Sequence, residues 1–392
     1  MSVTFAQGFE ASGLACGLKD AAVPDLALVL ASDRVKVPAA AVFTQNRVSA
    51  APVNLSRSNL ASTRGFSAGV LLNSGCANAA TGIQGEQAAA KTLESLSKEL
   101  GLDKESFLLC STGLIGKQLE YAKITSNMAK LIEALGSDDA SGLAAAKAIM
   151  TTDTHPKQAQ IELGSIRVGG MAKGAGMINP NMATMLAVIT TDVDADPALL
   201  QDALNNSVGR TFNLLSVDGC TSTNDTVCLL SSAKGKKVSQ DVLEEALDAV
   251  CMDLAVQIAK DAEGTTKVVR YLLRGAKDSE SANKAARRIG ESLLVKTSLY
   301  GQDVYPGRVI SELGASQIDF KLEDVKVLYG NICVFAGGVP LNIDPASKKE
   351  LEVYMAGDEI TITCDLGLGD ADGILIGTDL GHGYIDENMK TS

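Results

Sequence analysis

The sequence predicts an α/β (α+β layered) fold. Short apolar, β-branched runs alternate with longer stretches of helical periodicity along the whole chain, as a layered mixed fold requires. Its 392 residues are enough for two domains or one large layered domain with a sizeable core. No repeat of solenoid period and no low-complexity segment breaks the pattern.

In chain order, Leu26–Leu30, Ala39–Phe43 and Gly69–Asn73 read as strands. Glu86–Leu100 has helical spacing, and Gly101 directly after it is the expected stop. The apolar run Phe107-Leu108-Leu109-Cys110 leads into the polar turn Ser111–Gly116. Leu143–Met150, Pro197–Ser207, Ser239–Asp261 and Ala282–Leu294 are further helical patterns. Met185–Thr190, Val227–Ser231, Val268–Leu273, Val325–Tyr329 and Glu359–Asp365 are further strand-like runs.

Composition narrows the function. Hydrophobic residues make up 46% and charged residues 21%, ordinary values for a globular protein. A formal net charge of −12 argues against nucleic acid or an anionic membrane as partner, though it leaves room for a local basic pocket that holds a carboxylate. No apolar run is long enough for a transmembrane helix, and the first ten residues show no secretory pattern, so a cytoplasmic protein is expected. The eight cysteines stand singly with no CxxC pair, so reduced thiols are expected, with no metal and no redox motif. There are only two histidines, His155 before a proline and His382 in a glycine-flanked segment read as a loop. Any Ser-His or Cys-His mechanism would have to use one of them.

The most informative stretch is Lys173-Gly174-Ala175-Gly176-Met177-Ile178-Asn179-Pro180-Asn181-Met182-Ala183-Thr184-Met185-Leu186. It delivers one threonine to the start of an apolar run. Gly174 and Gly176 permit unusual backbone angles, and Pro180 stiffens the approach. A strained peptide beside a β-hydroxyl can undergo an N-to-O acyl shift, after which water releases the ester. Cleavage between Ala183 and Thr184 would leave Thr184 as an N-terminal nucleophile with its own α-amine as base, and no histidine would be needed. A phosphate loop is excluded, because GxxxxGK[ST] is absent and Asn179 stands where GxGxxG needs its last glycine.

Acyl transfer also needs donors aimed at the developing oxyanion. The Thr112 hydroxyl beside the Gly113 N–H could form such a hole, or the segment could be a plain turn. Thr151-Thr152-Asp153-Thr154 could hold a substrate carboxylate or amide, or simply end a helix. Glu263, in Asp261–Lys267, could grip an ammonium group or be a solvated charge. Lys173 could pair with a carboxylate or be a surface charge. Ser216–Asp225 is another polar loop between apolar runs.

Together these segments resemble the ornithine acetyltransferase family, the glutamate N-acetyltransferases. The stretches that carry the resemblance are Ala41–Thr44 with Ala51-Pro52-Val53, Asn73-Ser74-Gly75, Cys110–Gly116, Ala148–Thr154, Lys173–Leu186, Asp218-Gly219 with Ser222–Asp225, and Asp261–Lys267. They span nearly the whole chain in the family's order, and the Met-Ala-Thr-Met-Leu core is highly specific. The resemblance implies sheets sandwiched between helices and self-cleavage into an α chain, residues 1–183, and a β chain, residues 184–392, assembled as α2β2. It implies acetyl transfer from N-acetylornithine to glutamate through an acetyl-threonine intermediate, in the acetyl cycle of arginine biosynthesis. No cofactor is implied, with acetyl-CoA left open as a second donor. Thr184 matches the nucleophile, and Thr112 and Gly113 match the oxyanion pair. Thr151, Lys173, Thr184, Glu263, Asn388 and Ser392 match substrate-binding positions. Cys76, Cys220, Tyr305, Pro306 and a shortened tail after Asn388 depart from the family pattern, which bears on the choice of amine and on Asn388 and Ser392. The competing readings are a self-cleaving amidohydrolase or aminopeptidase, and an uncut, non-enzymatic paralogue that binds an amino acid.

Overall fold

The computed structural model describes residues 2–20, 22–179 and 185–389. The chain divides into two compact units, Met1–Asn213 with Cys220–Ile258, and Leu214–Gly219 with Ala259–Ser392.

The first unit holds two sheets. Strands Phe9–Leu14, Leu26–Ala31, Gly69–Asn73 and Phe107–Ser111 form one, in that order, with only the last pair parallel. The other runs Phe66–Ser67, Val37–Phe43, Thr226–Ser231, Leu186–Thr191, Ile166–Lys173 and Lys157–Leu163, with Thr226–Ser231 and Leu186–Thr191 parallel. The side-chain period of two explains the layering. Ala27, Val29 and Ala31 share a core with Val188 and Cys228 of the second sheet. Their neighbours Leu26, Leu28 and Leu30 point the other way, onto Leu93 and Leu96 of helix Gly82–Leu100. The six-stranded sheet is covered on its far face, where Gly170 lies against Val250 and Leu254 of helix Gln240–Lys260. Sheets sandwiched between helices are therefore what this unit contains. Small inner residues, such as the Ala39-Ala40-Ala41 run, suit close sheet-on-sheet packing. Gly101 ends its helix in the left-handed region, at φ 68°, as its position predicts.

Two strands of this unit bracket the most informative stretch. Ile166–Lys173 pairs antiparallel with Leu186–Thr191, and Lys173 sits opposite Leu186. The covalent division expected between residues 183 and 184 thus lies within the first compact unit.

In the second unit a seven-stranded sheet runs Leu215–Ser216, Ala371–Thr378, Val268–Ala276, Glu359–Asp365, Lys326–Tyr329, Ile332–Ala336 and Val339–Pro340. Its core joins Tyr271, Leu273, Ile360 and Ile362 to Ala285, Ile289, Leu299, Leu313 and Met355 of the covering helices. The single helix expected over Ala282–Leu294 is two, Ser279–Gly290 and Leu293–Tyr300. Ser292 breaks the pattern, because its hydroxyl accepts the Val295 N–H and caps the second helix. His382 was expected in a loop but opens the helix His382–Asn388 after Gly381. Among the described residues, no helix is long and apolar enough to cross a membrane.

Candidate active site

Thr112 and Gly113 follow directly on strand Phe107–Ser111. The turn they form is braced at every step. Thr112 N–H donates to the Asn73 carbonyl at 2.9 Å, and Ser111 Oγ donates to Asn73 Oδ1 at 2.6 Å. Gly113 adopts φ 127°, and a Cβ there would lie 2.5 Å from the Cys76 nitrogen, so only glycine fits. Lys173, 3% exposed at the end of its strand, donates from Nζ to Thr112 Oγ1 at 3.3 Å. Two residues singled out separately in the sequence are therefore joined in one buried polar centre.

Asp153 organises the next part. Its Oδ1 accepts Lys157 Nζ at 2.6 Å and the Gly174 N–H at 2.7 Å, while Oδ2 accepts the Thr151 N–H at 2.9 Å. The Asp153 and Lys157 side chains are both 0% exposed. Burial alone would raise the carboxyl pKa, but the charges of Lys173 and Lys157 and the Thr151 amide overcome it and hold Asp153 well below the usual carboxylate range. One ionised aspartate thus fixes Thr151, Lys157 and the backbone that follows Lys173.

A third set comes from Ser222–Asp225. Asn224 Nδ2 donates to the carbonyls of Ala77 at 2.6 Å and Ser111 at 2.9 Å. Asp225 Oδ1 accepts the Met185 N–H at 3.0 Å. Adjacent side chains thus hold the residue before Thr112 and the residue after Thr184. Burial pushes the Asp225 carboxyl well above its usual value, against the Met185 amide, the Ser222 hydroxyl and the Lys173 charge, which pull it back.

Ala183, Thr184 and Ser392, named as cleavage, nucleophile and binding positions, lie outside the described residues. The approach to them differs in detail from expectation. The left-handed backbone falls on Met177, at φ 55°, where a non-glycine residue is uncommon, and Gly176 does not take a positive φ. Gly174 does, at φ 155°.

In the second unit, Glu263 and Asn388 meet, with Asn388 Nδ2 donating to Glu263 Oε2 at 2.8 Å. Two contacts fix the turn that carries Glu263. Gly264, at φ 64°, lies so close to the Gly383–Tyr384 backbone that a Cβ would be 2.0 Å from the Tyr384 nitrogen. Asp379 accepts the Thr265 hydroxyl at 2.9 Å, the Thr266 N–H at 2.9 Å and the Lys267 N–H at 3.0 Å. Of the two histidines, the exposed His155 contacts Thr154 Oγ1 at 3.1 Å, and the exposed His382 packs its ring against Tyr300.

Residues 10–391 match the sequence model of the ArgJ family. The chain belongs to the ArgJ family. The arginine biosynthesis bifunctional protein ArgJ of Mycolicibacterium paratuberculosis is 43% identical, over 100% of this chain and 96% of the relative. The protein of the same name from Thermosynechococcus vestitus is 39% identical, over 99% of this chain and 97% of the relative. A solved ornithine acetyltransferase from Mycobacterium tuberculosis, complexed with ornithine, is 37% identical over 46% of this chain and 94% of that chain, with a TM-score of 0.41. As an ArgJ-family member, the chain is an acyltransferase of arginine biosynthesis.

The positions expected to depart from the family pattern have these surroundings. Cys76 is buried beside Gly113, accepts Asn73 Nδ2 on its carbonyl, and has its thiol pKa raised by burial. Tyr305 and Pro306 open the helix Pro306–Ala315, with the Arg308 guanidinium 5.9 Å above the Tyr305 ring. Cys220 is exposed. Sequence reasoning named Asp153 and Asp225 only as members of polar stretches. The available signal for Asp153 was Lys157 one helical turn's worth of residues later, and Asp225 carried no comparable signal.

Proposed function

We propose that the chain cuts itself between Ala183 and Thr184 and then moves an acetyl group from N-acetylornithine to glutamate by a ping-pong mechanism. The observation that carries this reading is the pairing of Asn224 on the Ser111 carbonyl with Asp225 on the Met185 amide. It ties the residue following the proposed nucleophile to the strand end that precedes the proposed oxyanion pair. The family membership supports the acetyl chemistry.

In the self-cleavage step, Thr184 Oγ attacks the Ala183 carbonyl carbon and the peptide nitrogen leaves as the new α-amine. Water then hydrolyses the ester. In the transfer cycle, Thr184 Oγ attacks the acetyl carbonyl of N-acetylornithine and its α-amine takes the hydroxyl proton. The Thr112 hydroxyl and the Gly113 N–H stabilise the oxyanion, and each such donor is worth roughly 10²–10³ in rate. Ornithine leaves with the proton, and the glutamate amine takes the acetyl group from the threonine ester. Thr151, Lys173, Glu263, Asn388 and Ser392 are the proposed substrate-binding residues. The word "bifunctional" in the names of the relatives favours acetyl-CoA as a second acetyl donor. A cytoplasmic α2β2 assembly completes the proposal.

Intact mass under denaturing conditions tests the first step. Wild type should give two species that meet at Ala183 and Thr184, and Thr184→Ala should give one uncut, inactive chain. A cut or active Thr184→Ala variant removes Thr184 as nucleophile. Release of free acetate without transfer to glutamate would favour the hydrolase reading instead.

A further inference from the structure

We propose that Asp225 is a positioning residue for Thr184: as a buried hydrogen-bonding group it holds the Met185 amide and so fixes the peptide bond that follows the nucleophile. This deepens the proposed function and rests on Thr184 being the nucleophile.

Three observations converge on Asp225. First, its Oδ1 accepts the Met185 N–H at 3.0 Å, and that nitrogen is bonded directly to the Thr184 carbonyl carbon. Second, the carboxyl is 1% exposed and its Oδ2 has no hydrogen-bond partner among the described residues. An ionised carboxylate in such a place is costly, because only the Met185 amide, the Ser222 hydroxyl and the Lys173 charge offset its burial. The raised pKa of the group agrees with this geometry. Third, the main chain here is fixed independently. The Asp225 carbonyl accepts the Thr44 N–H at 2.9 Å, the Thr226 N–H donates to the Met185 carbonyl at 3.2 Å, and Asn224 is anchored on Ala77 and Ser111. Asp225 therefore ties a fixed point of the main chain to Met185, the residue that follows the proposed nucleophile. A positioning error of even a fraction of an ångström at such a point slows attack on a bound carbonyl.

Asp225 and Asp153 differ in what they need. Asp153 faces Lys157 and Lys173 and must carry charge. Asp225 must present one acceptor to Met185 and carry none. Asparagine meets the second requirement, because its amide oxygen can accept the Met185 N–H and it remains neutral at every pH.

The test compares Asp225→Asn and Asp225→Ala in the full-length protein, with wild type and Thr184→Ala as controls. Cleavage is read by intact mass, folding by thermal melting, and transfer by separate kcat and KM values for N-acetylornithine. Asp225→Ala should leave a fraction uncut and lower kcat of the cut form by roughly 10–100-fold, the cost of an unmatched buried amide, with KM little changed. Asp225→Asn should restore most of both. Normal cleavage and kcat in Asp225→Ala overturn the proposal. So does a folded Asp225→Asn that stays uncut or loses kcat as far as Asp225→Ala, since the carboxyl would then be needed as an acid or an anion. If Asp225→Ala fails to fold, the folded Asp225→Asn decides alone. A wild-type chain that is itself never cut removes Thr184 as an N-terminal nucleophile, and that result is distinct from any outcome with the Asp225 variants.

Discussion

Two buried aspartates in the first unit show what burial does and does not determine. Asp153 is enclosed with Lys157 and Lys173, accepts a lysine and two amides, and is held ionised. Asp225 is enclosed with the Met185 amide on one oxygen, and burial pushes its carboxyl pKa well above the usual value despite that amide, the Ser222 hydroxyl and the Lys173 charge. Desolvation pushes both carboxyls in the same direction. The partners decide the outcome: the charges of Lys173 and Lys157 with the Thr151 amide outweigh burial at Asp153, whereas the Met185 amide, the Ser222 hydroxyl and the Lys173 charge do not outweigh it at Asp225. The lesson is that a buried acid near a candidate nucleophile cannot be assigned a role from its residue type. Its charge state has to be read from what surrounds it.

The largest expected effect breaks the first half of that contrast. Asp153→Ala leaves Lys157 as a fully buried ammonium without its counterion, and should cost roughly 3–5 kcal/mol of stability. Asp225→Ala leaves only an amide unmatched and should cost about 1–3 kcal/mol. Urea denaturation of the two variants beside wild type measures both. Equal losses would mean that Asp225 is also charged, and the contrast would fail.

The next effect sharpens the contrast through pH. Asp153 has a depressed folded pKa, so its contribution is present above the unfolded value near 4 and is lost as pH falls through the folded value. Asp225 has a raised folded pKa, so the folded state binds the extra proton. Stability from this group is greatest below about pH 4 and declines as pH rises towards the folded value, at up to about 1.4 kcal/mol per unit. Asp225→Asn cannot titrate, so its stability relative to wild type should improve between pH 4.5 and 7. Denaturation midpoints at the two pH values check this, and parallel curves for variant and wild type would show that Asp225 is ionised throughout.

The sequence made some of this legible and not the rest, for physical reasons. Gly69–Asn73 and Glu359–Asp365 were read at their observed bounds, because short, β-branched apolar runs fix a buried strand locally. Thr112, Gly113 and Lys173 stand out in the sequence one by one, but the hydrogen bond that joins the Lys173 and Thr112 side chains spans 61 residues of chain. Gly113 is legible as a turn glycine, but the reason it must be glycine is the Cys76 backbone beside it, which no local pattern reveals. The break at Ser292 had a local signal, a capping serine, yet apolar spacing continued through it and masked the boundary. Asp153 finds Lys157 and Thr151 close in sequence, but the Lys173 charge on Asp153 and the Met185 amide on Asp225 come from distant parts of the chain. Glu263 and Asn388 are 125 positions apart, and only the family resemblance paired them with one site.

The smallest effect completes the comparison with an ion pair at the surface of the same unit. Arg210 Nε meets Asp248 Oδ2 at 2.8 Å and Arg210 Nη2 meets Glu244 Oε2 at 2.6 Å, so the geometry is at least as good as that of Asp153 with Lys157. The Arg210 side chain, however, is 49% exposed. Water already solvates both partners, salt screens them, and holding a long side chain in one rotamer costs entropy. Arg210→Ala should therefore cost only about 0.2–1 kcal/mol, and the loss should shrink further between low and high salt. The Asp153→Ala loss should be nearly independent of salt, because no counterion reaches a pair that is fully enclosed. Denaturation midpoints of both variants at two salt concentrations separate these behaviours. A salt-insensitive loss at Arg210 as large as that at Asp153 would show that geometry, and not burial, sets the strength of the buried pair.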